Sequence, residues 1–93
     1  MNKDLEKLLF NPIRLRIISF LISVDNASFN KLIEVSGASK GNISVQIKKL
    51  NDAGLIRVKK QFKDNYPLTL CSITSKGKKY FEIFFNELKS FKK

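Results

Sequence analysis

Between Asn30 and Gly54 the sequence sets two helix signals back to back, each closed by a glycine, and this pairing constrains the fold more than any other feature. Asn30 is a good N-cap for a brief helix through Val35, with Leu32 and Ile33 facing inward. Ser36-Gly37 closes it, because glycine suits the left-handed position just past a helix end. After a short turn, Ser39 supplies a second N-cap, and a longer helix runs from Lys40 to about Ala53. Its apolar positions Ile43, Ile47 and Leu50 recur at spacings of four and three, and Gly54 stops it. Two helices joined by a short glycine-containing turn make a helix-turn-helix pattern.

The flanks extend the pattern. Leu5, Leu8 and Leu9 give an apolar face to a first helix within Asn2–Phe10, and Asn11-Pro12 restarts the chain as an N-cap followed by a proline at the first helical position. Ile13, Ile17, Leu21 and Val24 then mark a helix over Ile13–Val24, buried along one side. Ser28-Phe29 is too short for more than a scrap of strand. Downstream, Leu55–Phe62 is rich in β-formers, with Ile56, Val58 and Phe62 on one face. Lys63–Pro67 is a turn cluster, and Leu68–Ile73 alternates, with Leu68 and Leu70 opposite Thr69 and Cys71. Thr74 caps a last helix whose stripe is Tyr80, Phe81, Phe84, Phe85, Leu88 and Phe91. The expected class is α+β, mostly α: a winged helix-turn-helix of helices plus a two- to three-stranded β-wing. Ile13, Ile17, Leu21, Leu32, Ile43, Ile47, Leu50, Ile56 and Leu70 are expected to form the core. With no repeats and no Pro/Gly/Ser linker, residues 1–93 read as a single domain.

Charge points to the partner. Of 18 basic and 8 acidic residues, ten basic and two acidic ones fall in residues 40–79, while the segments on either side are nearly neutral. A polyanion should therefore meet the middle of the chain, and nucleic acid suits that distribution better than a membrane surface, which favours charge along one long helix. The chain has no histidine and one cysteine, Cys71. That composition excludes a Cys–His pair, a Ser–His–Asp triad and an ordinary zinc or iron site, so no metal, no cofactor and no enzymatic activity are expected. No apolar run approaches the roughly 20 residues that span a bilayer, and the N-terminus lacks a signal-peptide core. A cytoplasmic, nucleoid-associated location is expected by elimination. Cys71 is expected to be a small buried or half-buried residue.

At this point three stretches, NPIRLRIISFL, SFNKLIEVSGASKGNISVQIKKLNDAGLIRV and LTLCSITSKGKKYF, resemble small winged-helix regulators related to MarR-like and ArsR-like repressors. The resemblance runs from about Leu9 to Phe91. Its most specific part is SKGNISVQIKKLNDAGLI, a recognition helix leading into the first wing strand. TSKGKKYF is similar to the T-P-x-G start of the final helix, with Ser75 in place of the proline. The resemblance implies DNA binding as a dimer. It implies no effector: the recognition helix lacks the ligands of a metal sensor, and the chain is short for a roomy ligand cleft.

The recognition helix can be resolved by angle. With Ile43 facing the core, Asn42, Val45, Lys48 and Lys49 point outward, and Gln46 lies at the flank, about 60° from Ile43. Amide side chains pair with adenine edges, lysine with guanine, and valine with a thymine methyl. Lys40 starts the helix, where base edges come closest, and Ser39 can cap and also donate to a phosphate. Arg57, Lys59, Lys60, Lys63 and Asn65 on the hairpin are expected to hold the backbone or minor groove. Lys76, Lys78 and Lys79 face either DNA or only solvent. The surplus of aromatic surface on the last helix suggests a second copy as partner. Leu5, Leu8, Leu9, Tyr80, Phe81, Phe84, Phe85, Leu88 and Phe91 form that dimerisation surface, carried by the terminal segments of about 2–10 and 75–91. The expected function is sequence-specific binding of double-stranded DNA as a transcription regulator. The alternative is a non-specific architectural or chromatin protein.

Overall fold

The structure is a computed structural model and describes residues 3–90. Its elements run α1 (Lys3–Leu9), α2 (Pro12–Val24), β1 (Asn26–Ser28), α3 (Phe29–Ser36), α4 (Lys40–Asp52), β2 (Ile56–Lys63), β3 (Tyr66–Ile73) and α5 (Ser75–Ser90). Asn2 and Phe91, expected at the ends of the terminal helices, lie outside the described residues.

The helix starts follow from local capping. The Asn11 side chain accepts from the backbone N–H groups of Ile13 (3.0 Å) and Arg14 (2.9 Å), with Pro12 at the first helical position. Ser39 caps α4 by accepting from Asn42 N–H at 3.1 Å. Gly37 ends α3 with φ +70°, in the left-handed region that costs glycine least. One cap differs from expectation. Ser28, not Asn30, caps α3, its Oγ accepting from Lys31 N–H at 3.1 Å. Helix α3 consequently begins at Phe29, one residue before the expected cap.

The sheet has three strands in the order β1-β3-β2, all antiparallel. The scrap of strand expected at Ser28-Phe29 lies instead at Asn26–Ser28, with Phe29 already in α3, and it becomes a real edge because β3 supplies its partner: Asn26, Ala27 and Ser28 align with Ser72, Cys71 and Leu70. The hairpin turn is tighter than the five-residue cluster suggests. Only Asp64 (φ +52°) and Asn65 (φ +67°) lie outside the strands, a pair of left-handed residues suited to a two-residue turn, so Tyr66 and Pro67 belong to β3.

A core of α1, α2, α3, α4 and the sheet closes under α5. Leu9, Ile17, Ile18, Leu21, Leu32, Ile43 and Leu50 are fully buried, and Ile47, Leu55, Ile56 and Phe84 nearly so. Three expectations are corrected. Val24 is exposed at the end of α2, and Ile13 near its start is only partly buried against the core. Phe62 shares the strand face of Ile56 and Val58, as expected, but projects past the end of the core and is 78% exposed. On β3 the buried parity is that of Cys71, which is fully buried, while Leu70 is only partly so. Cys71 lies between Ala27 and Val58 in the register and so faces the helices with them.

Helix α5 meets the sheet through a glycine. A Cβ on Gly77 would lie 2.1 Å from the Leu55 carbonyl oxygen and 2.8 Å from Ile73 Cδ1, so only glycine allows this approach. Thr74 organises the same corner. Its hydroxyl lies 2.7 Å from the Gly54 carbonyl oxygen and accepts from Gly77 N–H at 2.9 Å, the expected cap of α5. Lys76 and Lys78 also find protein partners. Lys76 donates to the Ala53 carbonyl at the end of α4 (2.8 Å), and Lys78 pairs with Asp25 at 3.2 Å.

Candidate nucleic-acid interface

Helix α4 buries Ile43, Ile47 and Leu50 and leaves Lys40, Asn42, Ser44, Val45, Lys48 and Lys49 exposed. The outer face thus carries ammonium groups, an amide, a hydroxyl and one apolar side chain, which is 50% exposed. Ser39 accepts the Asn42 N–H on one oxygen lone pair, leaving its O–H as a donor beside the positive end of the helix. Lys48 is partly neutralised by Asp52, at 3.0 Å one turn further on. Lys49 lies at the flank toward α1, where Asp4, Lys7, Leu8, Arg14, Asp52 and Ala53 line the same open cavity of about 520 Å³.

Gln46 does not belong to the outward set. It is only 8% exposed, and both ends of its amide are engaged. Its Oε1 accepts a hydrogen bond from Arg14 Nη1, and its Nε2 donates to Asn42 Oδ1 at 2.8 Å. Base readout by Gln46 is therefore corrected to an inward role. An angular reading of α4 alone cannot place it, because the group that draws Gln46 inward comes from α2. Arg14 is itself buried, and desolvation lowers its pKa, although guanidinium stays protonated at any ordinary pH.

The wing stands opposite the start of α4. Lys60 pairs with Thr69 on the sheet face shared by Val58 and Cys71, and there it reaches a cleft of about 380 Å³ that Lys40, Ser44, Ser28, Asn30 and Thr69 also line. Ser28, Asn30, Ser44 and Thr69 are polar groups of the cleft that sequence reasoning did not assign to the interface. Their signal is only spatial, since they come from four elements. Arg57, Lys59 and Lys63 alternate onto the opposite face of the hairpin, and Asn65 sits in its turn. The wing's basic groups therefore divide between the α4 side and the outer side. Two exposed aromatics, Phe62 and Tyr66 (74% exposed), flank Lys63 at the tip.

The expected dimerisation surface is also divided. Leu5, Leu9 and Phe84 are buried inside the subunit (4%, 0% and 1% exposed) and are corrected to core. Leu8, Tyr80 and Phe81 pack partly against that core. Phe85 and Leu88 remain exposed, joined by Phe10 and Ile83. Phe91 is outside the described residues. Beside them, Leu15, Ser19, Phe81, Phe84, Phe85 and Leu88 line an apolar groove of about 250 Å³ between α2 and α5.

Among the described residues no group of three or more His, Cys, Asp or Glu is placed to hold a metal ion. No helix of the described residues is long and apolar enough to cross a membrane.

A helix-turn-helix whose second helix is basic and amide-bearing, followed by a basic antiparallel hairpin on a three-stranded sheet, defines a winged-helix DNA-binding protein. The chain belongs to the winged helix DNA-binding domain family, which it matches over residues 13–91. A transcriptional regulator homologue from Pyrococcus horikoshii OT3 superposes with a TM-score of 0.86 at 32% identity, covering 96% of this chain and 90% of that one. An uncharacterized protein of Methanocaldococcus jannaschii is 28% identical over 82 residues, 88% of this chain and 89% of its own. The fold is also that of MarR and ArsR family transcriptional regulators. A MarR family member from Silicibacter pomeroyi superposes with a TM-score of 0.74 at 23% identity, over 92% of this chain and 56% of that one.

Proposed function

We propose that this protein regulates transcription by sequence-specific binding of double-stranded DNA, with α4 in the major groove and the wing on the backbone and minor groove. The observation that carries the reading is the shared cleft: Lys40 and Ser44 of α4 face Lys60 and Thr69 of the wing across it. A phosphate strand crossing there would be held from both sides while the exposed arc of α4 meets base edges. Asn42 and Val45 are the readers; Lys40, at the start of α4, reaches that strand and the base edge beside it; Ser39, Lys48, Lys49, Arg57, Lys59, Lys60, Lys63 and Asn65 hold phosphates. The protein acts in the cytoplasm as a homodimer joined through α5 and the end of α1. The exposed Phe10, Ile83, Phe85 and Leu88 beside the α2–α5 groove support that assembly. Residues 1–93 then act as one DNA-binding domain whose terminal helices also dimerise.

The inward turn of Gln46 favours a second reading, because it removes one of two expected base-reading amides and leaves a face dominated by lysine. On that reading the protein binds DNA without sequence preference, as an architectural protein.

Selection of bound duplexes from a random pool separates the two. Specific recognition yields an enriched half-site, repeated with two-fold symmetry and spaced by about one helical turn. Asn42→Ala is then expected to lower affinity for that site about 5- to 100-fold with little loss on random DNA and an unchanged salt slope. Lys60→Ala and Lys63→Ala are expected to weaken both duplexes alike and to lower the slope by about one per phosphate contact. An unenriched pool assigns the architectural role instead.

A further inference from the structure

We propose that a buried relay from Arg14 through Gln46 sets the polarity of the Asn42 amide, so that α4 presents N–H donors to the groove and selects a base with an acceptor edge; this deepens, and rests on, the reading of Asn42 as a base contact. The relay starts at the end of α1. Arg14 Nε donates to the Leu8 carbonyl at 2.6 Å and Nη2 to the Lys7 carbonyl at 3.0 Å, two groups that the last turn of a helix leaves without intrahelical partners. These bonds aim Nη1 at Gln46, across the α2–α4 seam.

From there donor and acceptor chemistry determines the rest. Guanidinium has N–H donors and no acceptor, so Gln46 can meet it only with Oε1. The Gln46 Nε2 therefore points to the other side, where Asn42 Oδ1 lies at 2.8 Å. An amide N–H can be met only by an acceptor, so Asn42 turns Oδ1 inward and Nδ2 outward. Reversing Asn42 would set two N–H groups against each other at a partly buried site, while reversing Gln46 would do the same against a buried cation. The exposed end of Asn42 is thus a pair of donors suited to guanine O6 and N7 or to thymine O4, and unsuited to the amino groups of cytosine and adenine. Gln46 and Arg14 are positioning residues here; neither need touch DNA.

Gln46→Glu tests the relay. A glutamate keeps the acceptor that Arg14 needs but replaces the Nε2 donor by an oxygen. Asn42 must then turn over, donate Nδ2–H inward and present Oδ1 to the groove. Duplex selection is run with wild type, Gln46→Glu, Asn42→Ala and the double variant, scoring the ratio of selected to random affinity so that the added charge cancels. The expected result is a change at one base position, from guanine or thymine, whose major-groove edges offer only acceptors, in wild type to adenine or cytosine, whose amino groups donate, in Gln46→Glu. That change should amount to about tenfold in relative affinity and should vanish when Asn42 is alanine. A pool in which Gln46→Glu selects the same bases as wild type, or a change that persists without Asn42, overturns the relay alone. A wild-type pool with no preferred base overturns the parent reading and the base assignment together. Independently of any variant's folding, side-chain amide hydrogen exchange on the free wild-type protein should be markedly slower for Gln46 than for the exposed Asn51. Equal rates overturn the relay.

Discussion

Cys71 stands at the centre of the sheet, aligned with Ala27 on one side and Val58 on the other, and its side chain is fully buried. Burial disfavours the thiolate and pushes the thiol up to about 11 from 9.0. A raised pKa means the folded state holds its proton where the unfolded state has lost it. The associated stability is complete below about pH 9 and lost as pH rises toward 11. The alkaline fall in unfolding free energy, followed by urea titration, should therefore be steeper in wild type than in Cys71→Ala, by on the order of 2–3 kcal/mol. Equal slopes would show a thiol in contact with water. Alternation along Leu68–Ile73 was legible in the sequence, but its phase was not: leucine and cysteine are both acceptable in a core, and only the pairing with β1 and β2 decides which faces the helices. Gln46 was misplaced for a related reason. A residue at the flank of a stripe turns in or out according to what the neighbouring helix offers, and here that is Arg14.

Among the elements, α2, α4 and the two hairpin strands were legible because their signals are local: caps, breakers and period. The Ser39 cap and the Gly37 terminus follow from side-chain chemistry within a few residues of each. Strand β1 was not, since three residues have no strand stability alone and depend on β3, more than 40 positions away. The start of α5 shows how tightly the elements lock. The Leu55 carbonyl that a Cβ on Gly77 would strike also accepts from Thr74 N–H at 3.1 Å, so it cannot simply withdraw. Gly77→Ala should cost at least about 1–3 kcal/mol, read as a lower urea midpoint with an unchanged m-value. A variant as stable as wild type would mean that α5 docks differently.

At the scale of the molecule, 53 Å in its longest dimension, two properties depend on the whole surface. The exposed apolar residues of α5 predict a dimer, so Phe85→Glu with Leu88→Glu should give a monomer by light scattering at tens of micromolar and weaken DNA binding at the same time. A wild-type protein that is already monomeric under those conditions defeats the proposal. The basic excess in residues 40–79 predicts a steep salt response. If two subunits neutralise roughly six to ten phosphates, affinity should drop about 10³- to 10⁵-fold between 50 and 200 mM salt. A flat titration would place that charge away from DNA.

The sequence by itself determined the winged-helix order and the basic character of its middle, because capping, hydrophobic period and charge are properties of short stretches. Only the tertiary structure decided which aromatic and leucine side chains of the terminal helices are spent inside the subunit. A helix stripe such as Leu5, Leu9 and Phe84 is equally suited to its own core or to a partner, and the choice falls to whatever surface lies opposite. Tertiary structure also decided the orientation of the amides on α4. Hydrogen-bond polarity passes from one group to the next, and here it begins with an arginine thirty-two residues from Gln46 along the chain.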